Sequence, residues 1–108
     1  MKPSVAMAVI ARAAGNCESC GESIQMWPPE LVGELDHAEG RAVSEEIDTV
    51  WVLHRKCHQQ RHASVPSKAE WLKRWADFCA KHGYRASYER AFKRLQFVET
   101  RAELGRVP

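Results

Sequence analysis

The chain has 108 residues, 44% of them hydrophobic, with 16 Lys and Arg, 14 Asp and Glu, 5 His and 4 Cys. That length allows one small domain hiding about 65% of its unfolded surface, so a staple for the core is expected. The apolar content excludes a wholly disordered chain, and no apolar run approaches the roughly 20 residues needed to span a bilayer, so no membrane association is expected. The net charge of +2 hides an asymmetry: residues 1–62 hold 6 basic and 9 acidic groups, residues 63–108 hold 10 basic and 5 acidic. A basic tail beside an acidic body fits a polyanionic partner, usually nucleic acid, and equally a solvated pair of helices.

Met1-Lys2, the apolar stretch 5–11 and Ala11-Arg12-Ala13 imitate a secretory leader. Arg12 interrupts it and a cysteine pair follows at once, so a helix and a cytoplasmic location are expected. Val5, Val9, Ile10 and Ala13 recur at helical spacing over 3–14, and Gly15-Asn16 is a stop signal. Residues 16–23 are turn-forming and hold Cys17 and Cys20. Trp27-Pro28-Pro29 marks an ordered loop in which the aromatic ring packs and the prolines fix the backbone. Residues 34–37 read as a short strand fraying toward Gly40. Residues 49–53 (TVWVL), β-branched and aromatic, are the clearest strand. A strongly polar helix follows over 55–63.

The tail reads as two helices. Ser67-Lys68-Ala69-Glu70 matches a capping box, and Trp71, Leu72, Trp75, Phe78 and Cys79 form one apolar face ending at Gly83. Ser87 is the expected cap of a last helix with Tyr88, Ala91, Phe92, Leu95 and Ala102 inward and Gly105 at its end. The fold class is therefore small α+β, with an N-terminal helix and a C-terminal pair of helices.

Cys17-x2-Cys20 and His54-x2-Cys57 carry the strongest chemical signal. Two intervening residues let a tight turn aim both side chains at one ion, and two such pairs complete a tetrahedral thiolate–imidazole site for structural zinc. Disulfides are the alternative. The lack of a convincing secretory signal, and the place of Cys79 in an apolar stripe, favour the metal. His58 and His62 stand four apart on the polar helix and share one face, suited to one metal. Cys57 and His58, adjacent on that helix, point about 100° apart, which implies two separate metals. Asp36 would give the second a hard oxygen ligand, and the imidazole of His37 beside it is the candidate general base. Either His58 or His62 is also an alternative to His54 as the fourth zinc ligand, through Cys57-x4-His62 for example.

A CxxC pair, then Asp36-His37, then a strand, then a knuckle running into Cys57-His58 on a helix resembles the HNH (ββα-metal, His-Me finger) endonucleases. The resemblance covers residues 5–62, including the opening helix before Asn16-Cys17-Glu18-Ser19-Cys20-Gly21. It implies a ββα-metal finger with a structural zinc knuckle over 1–65; the tail matches no known pattern and is expected, from its helical spacing and charge, to be a basic helical extension, 66–108, packed on that core. By similarity His37 is the general base, Asp36 and His58 are metal ligands, and His62 falls where histidine-rich colicin nucleases place a further metal-binding His. The motif's middle Asn, which restrains the loop holding the base, falls at Thr49, so a Thr hydroxyl or the neighbouring Asp48 carboxylate has to take that part. His54 replaces the more frequent Cys of the second knuckle.

The resemblance implies a DNA endonuclease of low sequence specificity, able to nick, using one catalytic divalent ion (Mg²⁺, Mn²⁺, Ni²⁺ or Zn²⁺) on Asp36, His58 and His62 beside the structural Zn²⁺. His37 deprotonates water, the ion relieves phosphate charge, and products carry 5′-phosphate and 3′-hydroxyl ends. Arg55, Lys56 and Arg61, on the polar helix, are candidates for phosphate contacts in the minor groove. The alternative is a non-catalytic zinc module binding nucleic acid or protein through a degenerate HNH site.

Overall fold

Pro3 opens the first helix, α1 (Pro3–Ala13), where a missing N–H and a fixed φ suit the first turn. The computed structural model describes residues 1–104, with side chains through 101. The chain divides into two compact units between Ala63 and Ser64. The first holds α1, a short 3-10 turn (Pro29–Leu31), strands β1 (Gly33–His37) and β2 (Val50–His54), and helix α2 (Arg55–His62). The second holds α3 (Lys68–His82) and α4 (Arg85–Leu104). The protein is thus a small α+β chain, and no described helix is long and apolar enough to cross a membrane.

In the first unit β1 and β2 form an antiparallel ribbon in the register Gly33↔His54, Leu35↔Val52, Asp36↔Trp51, His37↔Val50. Alternation divides the two faces. Leu35, Val50 and Val52 join Val5, Val9 and Ala13 of α1, and Ile24, in the core of this unit. Asp36 and Trp51 occupy the opposite face, where the Trp51 indole donates to the Asp36 carboxylate. Gly33 is where the loop presses on the ribbon: a Cβ there would lie 2.9 Å from Ile24 Cδ1.

A buried ion pair ties α1 to this ribbon. Arg12 grips both carboxylate oxygens of Glu18 at 2.7 and 2.9 Å and donates to the carbonyls of Val50 and Ile47. Glu18 in turn accepts from the Val52 amide and donates its own amide to the Val52 carbonyl. The residue that breaks the apparent secretory leader is therefore a structural clamp.

Several sequence expectations shift. Both strands sit one residue from the expected limits, which leaves Thr49 outside β2. Ile10 is 57% exposed, because one step of 100° from the buried Val9 turns it off the core face. Trp27 is 74% exposed rather than packed; the prolines that follow it shape the 3-10 turn without drawing the ring inward.

In the second unit the Ser67 hydroxyl accepts from the Glu70 amide and Gly83 closes α3 in the left-handed region. The Tyr84 amide bonds back to the Cys79 carbonyl, as in a Schellman ending. Trp71, Leu72, Trp75, Phe78 and Cys79 are buried as expected. Helix α4 begins at Arg85, so Ser87 is not its cap; it lies buried in the first turn, where its hydroxyl accepts from Arg90. Its inward stripe runs through Ser87, Ala91, Leu95 and Val98. Tyr88 and Phe92, expected inside, are exposed and stack on each other at 6.1 Å. The Ala102 side chain and Gly105 lie outside the described residues.

Two candidate metal centres

The knuckle over 16–23 is closed by a bridge between Asn16 and Ser23 and by two backbone bonds, Cys17 N–H to Glu22 O and Gly21 N–H to Cys17 O. Gly21 takes φ +79°, which favours glycine at this turn. These bonds aim Cys17 and Cys20 at the joint where β2 passes directly into α2, which supplies His54 and Cys57. The four donor atoms lie within 4.8 Å of one another. All four cysteines of the chain are free thiols.

The chemistry of this set fits zinc. His54 lies buried, with Nε2 2.9 Å from the Ser23 carbonyl and Nδ1 3.4 Å from Cys20 Sγ. Nε2–H therefore donates to the carbonyl and leaves the Nδ1 lone pair facing the sulfurs, the outer-shell arrangement that fixes a ligating tautomer. The His54 amide donates to Cys17 Sγ from 3.4 Å. Burial, and then the neighbouring Cys17 and Cys20, push the Cys57 thiol up to about 12, and burial also raises Cys20. Cys20 and Cys57 thus hold their protons until a cation compensates them. A divalent cation is what this cluster lacks chemically.

The second cluster stands on the other face of the ribbon. Asp36 is 1% exposed, and its Oδ1 lies 3.2 Å from His58 Nε2 and 3.9 Å from His62 Nε2. The two Nε2 atoms are 2.9 Å apart. Three donor atoms thus meet at one point, with the His62 side chain 64% exposed on the open side. Around them stands a supporting layer. Asp36 Oδ2 accepts from Trp51 Nε1 at 2.8 Å and pairs with Arg61 Nε at 3.1 Å. His58 Nδ1 faces Glu34 Oε1 at 3.4 Å, which directs the free lone pair to Nε2. Asp36, His58 and His62 can hold one divalent ion by a carboxylate and two imidazoles.

The 100° step between Cys57 and His58 separates the two clusters, as the sequence anticipates. Arg61 departs from its expected part. Its guanidinium is turned inward onto Asp36 and onto the carbonyls of His37 and Ala38, the last at 2.8 Å, so it braces the Asp36 carboxylate and the end of β1 instead of facing outward. Arg55 and Lys56 stay half exposed, each beside a carboxylate, Glu34 and Glu22 respectively.

His37 is not among the three converging residues. Strand alternation sends its ring to the face opposite Asp36, where Nε2 lies 3.1 Å from Glu45 Oε2. That hydrogen bond is the main cause of the lowered Glu45 pKa. Thr49 holds the segment carrying Glu45: its hydroxyl donates to the Ser44 carbonyl at 2.7 Å and accepts from the Glu46 amide at 2.9 Å. Thr49 also binds Ala38, just past His37, through its carbonyl.

Sequence reasoning missed Glu34, Trp51 and Glu45. Glu34 and Trp51 were within reach, since Glu34 is two residues from Asp36 on the same strand face and Trp51 is its cross-strand neighbour. Nothing local marks Glu45, which depends on how the loop folds back. No family model matches the chain, and neither a curated protein nor a solved structure matches it.

Proposed function

We propose that the first unit is a metal-dependent DNA endonuclease of the ββα-metal type, stapled by zinc on Cys17, Cys20, His54 and Cys57. One observation carries this reading: Asp36 Oδ1 and the Nε2 atoms of His58 and His62 converge on one face of the ribbon, and the residue that follows Asp36 in the chain, His37, is a histidine fastened to a carboxylate. A zinc-only module has no use for this second cluster and its layer of Trp51, Arg61 and Glu34.

A divalent ion on Asp36, His58 and His62 would supply charge relief at the scissile phosphate and at the departing 3′ oxygen. The protein's own groups do the rest. His37 keeps its Nε2–H on Glu45, which leaves Nδ1 to accept the proton of the attacking water. Glu45 stabilises the imidazolium that results and holds the ring's orientation. Thr49, by pinning the backbone on both sides of Glu45, does the work that the family motif gives to Asn. Arg61 holds the Asp36 carboxylate aimed. Arg55 and Lys56 exchange their exposed carboxylate partners for DNA phosphates at small cost, since such pairs contribute about 0–1 kcal/mol.

The rival reading, a non-catalytic zinc module, is favoured by one observation, the turning of His37 away from the three ligands. Plasmid nicking with added Mg²⁺, Mn²⁺, Ni²⁺ or Zn²⁺ separates the two. Wild-type protein is expected to convert supercoiled plasmid to nicked circles with at least one of these ions, and His37→Ala to bind DNA without cutting it. Wild-type protein that binds DNA but cuts with none of the ions establishes the rival.

A further inference from the structure

The second unit contains a charged groove that the chemistry above does not use. It has a volume of about 550 Å³ and is lined by Lys68 from the first turn of α3 and by Lys93, Arg94, Phe97, Val98 and Arg101 of α4. On these two helices other arginines are satisfied internally: Arg74 pairs with Glu70 at 3.5 Å and Arg85 with Glu89 at 3.2 Å. Among the described residues the four cations of the groove have no carboxylate partner. Phe97 is 63% exposed among them, with the Arg101 guanidinium over its ring at 5.8 Å.

We infer that this groove binds single-stranded nucleic acid, its four cations following the phosphates and Phe97 stacking on an unpaired base. Like charges gathered in one groove repel one another, and a chain of phosphates relieves that repulsion while releasing its counterions. An exposed phenyl ring flanked by cations is the other half of the pattern, because every base has a face to stack and a paired duplex does not present it. An acidic peptide would use the charges and leave the ring idle. The inference does not depend on catalysis at Asp36, His58 and His62.

The test uses the full chain with its zinc, in buffer without added divalent metal, and a fluorescent oligothymidylate read by anisotropy at several salt concentrations. Lys93→Gln with Arg94→Gln keeps good helix formers and removes two charges. It is expected to weaken binding on the order of tenfold at low salt and to make the salt slope shallower by about 1.4, two phosphate contacts at 0.7 each. Phe97→Ala is expected to weaken single-strand binding by about tenfold, to leave the slope unchanged, and to leave duplex binding nearly unaltered. Melting curves check that each variant is folded; if Phe97→Ala is not, Phe97→Leu, which keeps the apolar bulk, replaces it. Unchanged affinity and slope in the double variant overturn the inference, as does a folded Phe97 variant with wild-type affinity. Equal competition by polyglutamate of matched charge assigns the groove to an acidic protein instead. Hydrolysis of bis(p-nitrophenyl) phosphate, a diester too small to need the groove, is measured in parallel on the same proteins with Mg²⁺, Mn²⁺, Ni²⁺ or Zn²⁺ added. Lost strand binding with no diester hydrolysis in any variant or wild type sinks the endonuclease reading alone; diester hydrolysis with unaltered strand binding sinks the groove alone.

Discussion

The two clusters of potential metal-holding groups in the first unit share the stretch 54–62, which supplies His54 and Cys57 to one and His58 and His62 to the other, yet they differ in donor number and exposure, the features that separate a closed metal site from an open one. The Cys17–Cys20–His54–Cys57 cluster uses three sulfurs and one nitrogen, has four donors, and buries three of its four residues. A tetrahedral ion held there has no position left for water or substrate. The Asp36–His58–His62 cluster has three donors, one of them a hard oxygen, and leaves His62 largely exposed. An ion held there keeps open positions. Donor number and exposure, more than residue type, distinguish the two clusters, and one helix contributes to both because adjacent residues face different ways.

The largest expected effect tests the closed cluster. Cys57→Ser should lose zinc and, with it, the fold of the first unit, since structural zinc contributes on the order of 10 kcal/mol in small domains. Metal analysis and circular dichroism read the outcome; a Cys57→Ser protein with full zinc and an unchanged melting curve would dissolve the distinction between the clusters.

Asp36→Ala should cost about 3–5 kcal/mol, because it strands the Arg61 guanidinium without its buried partner, and it should remove the second metal while leaving zinc in place. His58→Ala should also remove the second metal but destabilise far less. Comparing the denaturation midpoints of the two variants shows whether Asp36 serves structure as well as metal. Glu34→Gln sharpens the comparison further. It weakens the brace on His58 Nδ1 and is expected to lower second-metal affinity by about 10- to 100-fold, measured by titration with Mn²⁺ or Ni²⁺, with zinc untouched.

Thr49→Val is expected to cost about 1–3 kcal/mol, the penalty for leaving the Ser44 carbonyl and Glu46 amide without their hydroxyl partner. It should slow cleavage through Glu45 and His37 without altering either metal content. Cleavage at the wild-type rate, in a folded Thr49→Val protein, would remove the loop restraint from the mechanism.

The last effect concerns pH. In the metal-free protein the Cys57 thiol is pushed up to about 12 by burial and by Cys17 and Cys20. The unfolded chain ionises its thiols first, so stability contributed by the protonated cluster is full below the ordinary thiol range and is lost as pH rises through it toward the folded value. Zinc reverses the sign. The loaded cluster holds thiolates, protons compete with the metal, and stability is lost as pH falls. Melting temperatures of stripped and loaded protein should therefore move in opposite directions with pH; parallel curves would mean that the sulfurs do not hold the metal.

Much of this molecule is written locally. Two-residue spacing in Cys17–Cys20 and His54–Cys57, four-residue spacing in His58–His62, the cap at Ser67 and the stop at Gly83 are short-range facts that helix and turn geometry turn into positions. The division of Cys57 from His58 is equally local, since it follows from the helical step alone. What the sequence does not contain is the meeting of segments far apart in the chain. Only tertiary structure turns Arg61 inward onto Asp36, joins Arg12 to Glu18 beneath β2, sends His37 to Glu45, and leaves Tyr88 and Phe92 outside while Ser87 is buried. Each of these depends on which face of a ribbon or helix another element covers, and a cation's choice between phosphate and an internal carboxylate is made by that neighbour.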